Sequence, residues 1–165
     1  VSLYSAFAVL YSFQMRNLLK GVGQQMKWSV RDESLHSKMG CQLFRHMCSQ
    51  IPGLKEECKE HVYDAALTMH NAEMTYISKL FEMGDIEGIT EYDLKHFIKK
   101  RTGDKIQELG YKAEGKFKFE YDQKSIDKMA WFDHLTGGHT HTDFFAIRPT
   151  DYSKANEGED FEDVW

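Results

Sequence analysis

Glu33 and His36 stand three residues apart in the segment Arg31-Asp32-Glu33-Ser34-Leu35-His36, so on a helix their side chains fall one turn apart on one face. A carboxylate and an imidazole at that spacing offer an oxygen and a nitrogen donor to a metal ion. The same face runs Val22, Met26, Ser29/Val30, Glu33, His36/Ser37, Gly40, Leu43/Phe44 and Met47, a step of three or four residues that marks an apolar helix side. Glu33 and His36 therefore occupy positions where leucines are expected. Burying a carboxylate without a partner is costly, and an ion pair, a hydrogen-bond network or a metal relieves that cost. Glu-x-x-His on an inward helix face is half of the donor unit from which helical bundles build a carboxylate-bridged dimetal centre. By spacing alone, a solvated surface pair or a satisfied core histidine is the commoner origin of such a pattern.

The chain carries its own control. Asp93-x-x-His96 has the same spacing, but it follows Thr90 by three residues, and Thr90 and Asp93 read as N-cap and N3 of a new helix. That pair is expected to be structural. Glu33 and His36 differ by their apolar company, from Met26 to Met47.

The elements that must position these residues are long helices. The first runs from Val1 to about Leu19, with Gly21 and Gly23 marking the turn into a second helix that ends near Gln50, before Pro52-Gly53. A third spans Leu54 to Met83, with Cys58, Val62, Ala65/Ala66, Met69, Ala72, Tyr76 and Leu80 on one face, and stops at Gly84. A fourth runs from Thr90 to about Leu109. Lys116 to Tyr121 alternates Phe117, Phe119 and Tyr121 and reads as a short strand, and a last helix covers Ser125 to Leu135 before Gly137-Gly138. His139 and His141 sit in a Gly-flanked loop, where histidines are more often merely polar.

The chain has 165 residues, 41% of them apolar, and only two prolines, which suits one helical domain burying about 70% of its unfolded surface. Cys41, Cys48 and Cys58 form no Cys-x-x-Cys and read as small packing residues in a reducing, intracellular compartment. Residues 143–165 hold seven acids against Arg148 and Lys154, a balance of −5 that equals the whole-chain charge. Residues 1–142 are thus neutral overall and form the helical domain, while 143–165 read as a flexible acidic tail ending in Phe161, Val164 and Trp165, a partner-docking peptide. No basic stripe supports nucleic-acid binding, and Val1 to Phe13 is too short to span a bilayer and lacks the features of a signal peptide. That segment reads as the middle of a helix.

Three blocks, in order, carry a resemblance that covers nearly the whole chain: Ser29 to His36 (SVRDESLH), Phe81 to Gly88 (FEMGDIEG), and His141 to Phe145 (HTDFF) with Thr150 to Ala155 (TDYSKA). Together they resemble the small, radical-generating subunit of class I ribonucleotide reductase. The resemblance implies an all-α, ferritin-like helical bundle and a dimetal cofactor, two irons or a manganese and an iron. It also implies a large catalytic subunit as partner, a homodimer of the complete small subunit, and a cytoplasmic location in a bacterium or a virus-infected cell. Residue by residue, Glu33 and His36 match ligands of one metal, and Asp32 matches a carboxylate that hydrogen-bonds a metal-bound His from the other half of the bundle. Leu3, Phe7 and Ser29 match the apolar pocket around the radical site, Ser29 being a departure from the usual aliphatic residue. Tyr152 matches a relay tyrosine, and Glu157 to Trp165 the docking tail. The remaining ligands and the radical tyrosine would lie upstream, so the chain is expected to be a C-terminal portion that shares its metal centre with an N-terminal half. Another ferritin-like dimetal oxidase or oxygenase would share Glu-x-x-His without needing Tyr152 or the tail. A non-catalytic interaction module would keep the tail alone.

Overall fold

The computed structural model describes residues 3–136 of the chain. Six helices account for most of them: α1 (Tyr4–Met15), α2 (Lys20–Gln50), α3 (Leu54–Phe81), α4 (Glu91–Glu108), α5 (Gln123–Lys128) and α6 (Ala130–Thr136). The described residues contain no strand beyond an isolated bridge between Ile86 and Ile89, so the expected all-α class is met there.

The first connection lies elsewhere than the glycines suggest. The chain reverses between α1 and α2 at Asn17 (φ 65°) and Leu19 (φ 45°), while Gly21 and Gly23 fall inside α2. Gly23 serves a close helix crossing instead: a Cβ there would lie 2.1 Å from Gln14 Oε1 and 2.4 Å from Gln14 Cβ on α1. The α2–α3 turn is as expected, with Gly53 at φ 86°, a left-handed position that suits glycine. Thr90 caps α4 by accepting the Asp93 N–H at 3.0 Å, as its spacing implies.

Two further expectations fail. Phe117 and Phe119 do alternate, but the segment makes a 3-10 turn at Gly115–Phe117 and continues without a strand. Both aromatics are spent on α3 instead: Phe117 stacks on Tyr63 at 4.2 Å between ring centroids, and Phe119 meets His70 at 4.4 Å. The last helix is two short ones, because the chain breaks at Met129, which is buried to 1% exposure between α5 and α6.

Two apolar clusters hold these elements. The larger joins Tyr4, Ala8 and Val9 of α1 and Val30 of α2 to Ile77, Leu94, Phe97, Ile98, Met129 and Phe132. The smaller gathers Tyr63, Ile106, Tyr111 and Phe117 at the far end of α3 and α4, with Phe44 reaching it from α2. Tyr63 and Tyr111 donate their hydroxyls to the carbonyls of Lys112 (2.7 Å) and Lys55 (2.6 Å), so burying these rings strands no polar group. Of the 31 residues of α2, only Gly23 and Val30 are fully buried.

Candidate metal-bearing face

The helix α2 presents Glu33 and His36 on its open side. Both side chains are exposed in this chain, and His36 Nε2 lies 3.7 Å from Asp32 Oδ1, with the two side chains 62% and 65% exposed. Of the apolar residues expected to flank them as a buried face, Val22, Leu43 and Met47 are exposed, Met26 and Phe44 are half-buried and Val30 is fully buried; Trp28, Leu35 and Met39, outside that expected face, are exposed beside it. The helix turns its other side, through Gly23 and Val30, toward α1 and α6. So the apolar stripe read from the sequence is only partly realised: Val30 packs into the larger cluster and Phe44 reaches the smaller one, while the carboxylate and imidazole lie among exposed apolar side chains that nothing among the described residues covers.

The donor set can be tested against a dimetal centre. Glu33 offers a carboxylate and His36 an imidazole from adjacent turns, a pairing suited to iron or manganese. Among the described residues, no three His, Cys, Asp or Glu side chains converge, so the described donors fit half of such a centre. Of the pocket residues implied by resemblance, Phe7 and Ser29 are half-buried and Leu3 is exposed. Tyr152, Phe161, Val164, Trp165, His139 and His141, and the division at residue 142, lie outside the described residues.

Behind the open face, α1 is pinned to its neighbours by polar contacts the sequence did not advertise. The Tyr4 hydroxyl and Ser34 Oγ share a 2.8 Å hydrogen bond, which ties α1 to the turn carrying Glu33. Ser5 Oγ donates to Glu73 of α3, a carboxylate only 8% exposed. His70, one turn earlier, is also buried, and its Nδ1 has no hydrogen-bond partner. Burial and then the nearby Lys99 hold its pKa below the ordinary imidazole value. The signal was present: His70, Glu73 and Ile77 are spaced as one helix face, but the apolar face next to it drew the reading away.

Arg101 was missed for another reason. Its guanidinium lies 4.7 Å from the Tyr4 ring centroid, 4.6 Å from Phe97 and 5.1 Å from Phe132, and it pairs with Asp133. A cation held by rings from three separate segments has no local pattern. A cleft of about 100 Å³ opens beside it, lined by Tyr4, Ser34, Lys38, Arg101, Asp104, Lys105 and Glu108.

The Asp93 and His96 pair is structural, as expected. Asp93 is buried and accepts hydrogen bonds from Thr90 Oγ1 (2.8 Å), Ser125 Oγ (2.7 Å) and Lys128 Nζ (3.2 Å). Burial would raise its pKa, but the hydrogen bonds from Ser125, Thr90 and Lys128 prevail and hold it below the usual carboxylate value. His96 Nδ1 accepts the Asp122 N–H at 2.8 Å, which occupies that nitrogen in α5 capping. The three cysteines are free thiols, none fully buried, and burial followed by Glu108 raises the pKa of Cys41 over the opposing effect of Lys105.

Comparison with known proteins converges on one family. Residues 1–117 match the family model described as "Ribonucleotide reductase, small chain". A probable ribonucleoside-diphosphate reductase small subunit of Invertebrate iridescent virus 3 is 29% identical over 94% of this chain and 40% of its own length. Its counterpart in Invertebrate iridescent virus 6 is 26% identical over 100% of this chain and 51% of its own length. The ribonucleoside-diphosphate reductase subunit beta of Enterobacteria phage T4 is 25% identical over 67% of this chain and 30% of its own length. The chain thus spans about half or less of the length of these relatives.

Proposed function

Since the chain belongs to the ribonucleotide reductase small-chain family, with its all-α, ferritin-like fold class, we propose that it is part of the radical-generating subunit of a ribonucleoside-diphosphate reductase. The observation that carries this reading is the placement of Glu33 and His36 together on the open face of α2, amid exposed apolar side chains. In this reading they ligate one metal of a dimetal centre, iron or manganese–iron, whose other ligands come from the N-terminal half of a small subunit. Such a centre, when bound, supplies the oxidising power that generates the radical. Asp32 positions a metal-bound histidine from that other half by accepting its second ring N–H, which fixes the tautomer. Leu3 and Phe7 keep water from the radical site, and Tyr4, bonded to Ser34, fixes the register between α1 and the ligand-bearing turn.

Residues 1–142 form the helical portion and 143–165 the docking tail in this proposal. Tyr152 passes the hole to the large catalytic subunit, giving up an electron and its phenolic proton, while Phe161, Val164 and Trp165 anchor the tail. The complete small subunit works as a homodimer in the cytoplasm; among the described residues no helix is long and apolar enough to cross a membrane. The family match over residues 1–117 favours this over another ferritin-like oxidase or oxygenase, which would have no use for Tyr152 or the acidic tail.

Co-expression with the N-terminal half of a relative's small subunit, followed by metal analysis and electron paramagnetic resonance, is the test. Bound metal is expected in the co-expressed protein and is lost in Glu33→Ala and His36→Ala. Undiminished metal content in both variants overturns the ligand assignment. In the same assembly, Tyr152→Phe should keep metal and radical but stop nucleotide reduction, whereas deleting 157–165 should weaken large-subunit binding alone.

A further inference from the structure

We infer that Tyr4, Trp131 and Tyr11 form a second hole path, one that drains stray oxidising equivalents from the ligand-bearing side of the fold into solution. The oxidant is the one the proposed radical chemistry supplies, and the route follows from the ring geometry. Tyr4 is buried beside the α2 turn that carries Glu33, and its ring centroid lies 5.8 Å from that of Phe132. Phe132 is 5.9 Å from Trp131, and Trp131 stacks on Tyr11 at 5.9 Å with an interplanar angle of 19°. Trp131 and Tyr11 are both partly exposed, so the row runs from the interior to the surface. Phenol and indole are the side chains that release an electron most readily, and here two phenols and one indole are joined through a single phenyl ring.

The proton has a route too. On oxidation by a strong one-electron oxidant of the dioxygen-derived class, Tyr4 gives up an electron and its O–H bond breaks. The proton moves to Ser34 Oγ at 2.8 Å, and the Ser34 hydroxyl proton passes into the cleft, where Asp104 and Glu108 are the acceptors. Trp131 then returns an electron to Tyr4, across Phe132, while the cleft returns a proton. Tyr11 in turn reduces Trp131 and loses its own proton to solvent. A thiol reductant in solution restores Tyr11 with an electron and a proton and ends as half of a disulfide.

Arg101 sets when the path is used. Its guanidinium lies over Tyr4 and Phe132, and a positive hole on either ring faces that charge. The rings are therefore harder to oxidise, and the row conducts only when the oxidant is strong and Tyr4 sheds its proton. That is the behaviour of an overflow rather than of a main line.

The test uses the full 165-residue chain with Cys48→Ser and Cys58→Ser, and a ruthenium polypyridyl photo-oxidant attached to Cys41, whose side chain meets Glu108 at the cleft. Flash oxidation should give an early tyrosyl signal, then a Trp131 radical, and peptide mapping should find oxidation products at Trp131 and Tyr11. Tyr4→Phe keeps the ring but removes the ionisable hydroxyl, and should abolish the Trp131 signal; Trp131→Phe should leave the Tyr4 radical long-lived. Circular dichroism of each variant checks that the fold is kept. Unaltered yield and timing of the Trp131 radical in folded Tyr4→Phe overturns the path. Because the oxidant is supplied by the label, this outcome is independent of whether Glu33 and His36 bind metal, which the co-expression experiment decides.

Discussion

Gly23 and Gly40 lie on the same helix and are chemically identical, yet the structure gives them opposite tolerances. Gly23→Ala forces its new Cβ into Gln14, including that residue's own Cβ, which cannot swing away as a side-chain tip would. The expected cost is about 1–3 kcal/mol, the usual range for overpacking, read as a lower urea midpoint with an unchanged slope. Gly40 has nothing within 4 Å of an added Cβ, so Gly40→Ala should stabilise the isolated chain by roughly 0.5–1 kcal/mol through helix propensity. In the sequence Gly23 reads as turn punctuation, because a glycine's close approach to another helix leaves no trace in local pattern. Glu33 and His36 stand out in the sequence because their type differs from the apolar residues around them, and the structure leaves both exposed. Tyr4, Glu73 and Arg101 do not stand out, since each gains its meaning from a partner at least 30 residues away.

At the scale of elements, the junction between α4 and α5 and the contact between α3 and the Phe119 segment both respond to acid. Asp93 has its pKa lowered in the folded state, so its contribution to stability is present above the ordinary carboxylate range and is lost as pH falls through the depressed value. His70 also has its pKa lowered. Both states hold it neutral above its unfolded value of about 6.5, and below that the unfolded chain takes up a proton the folded chain resists, so stability falls. Melting temperature should therefore decline in two stages on acidification. His70→Leu should flatten the first stage and Asp93→Asn the second, measured by calorimetry across the acid range. Thr90→Ala removes the α4 cap and should cost about 1 kcal/mol at neutral pH. Helix starts and stops at Thr90, Gly53 and Gly84 were readable because capping and left-handed turns demand particular residues. The irregular path of Lys116 to Tyr121, expected as a strand, was not, because alternation reports which side chains are buried without saying whether a neighbouring strand exists to pair with.

At the scale of the whole molecule, the described residues form a bundle covered on one side of α2 only. Exposed Trp28, Leu35, Met39, Leu43 and Met47 form a nearly continuous apolar band along α2, the kind of patch that marks an interaction surface. The isolated chain should self-associate with rising concentration and bind a hydrophobic dye, as read by analytical ultracentrifugation and fluorescence, and the N-terminal half of a relative's small subunit should suppress both. A dye-silent monomer at high concentration would argue that the band is shielded in solution. Periodicity caught Leu43 and Met47 of this band but not Trp28, Leu35 and Met39, because it centred the apolar face on Val30 and Phe44, which pack inward.

Phe132 closes the main cluster from the last described helix: it is fully buried and touches Tyr4, Phe97 and Trp131. On a ribosome adding residues at about 5–20 per second, α1 and the first half of α2 emerge several seconds before the ring that seals them. Nascent chains must keep Tyr4, Ala8, Val9 and Val30 out of wrong partnerships for that interval, a demand on chaperone holding that falls on the start of the chain. Stalling synthesis just before Ala130 should leave a nascent chain far more open to protease than one stalled beyond the tail, although the two differ little in helix-forming sequence.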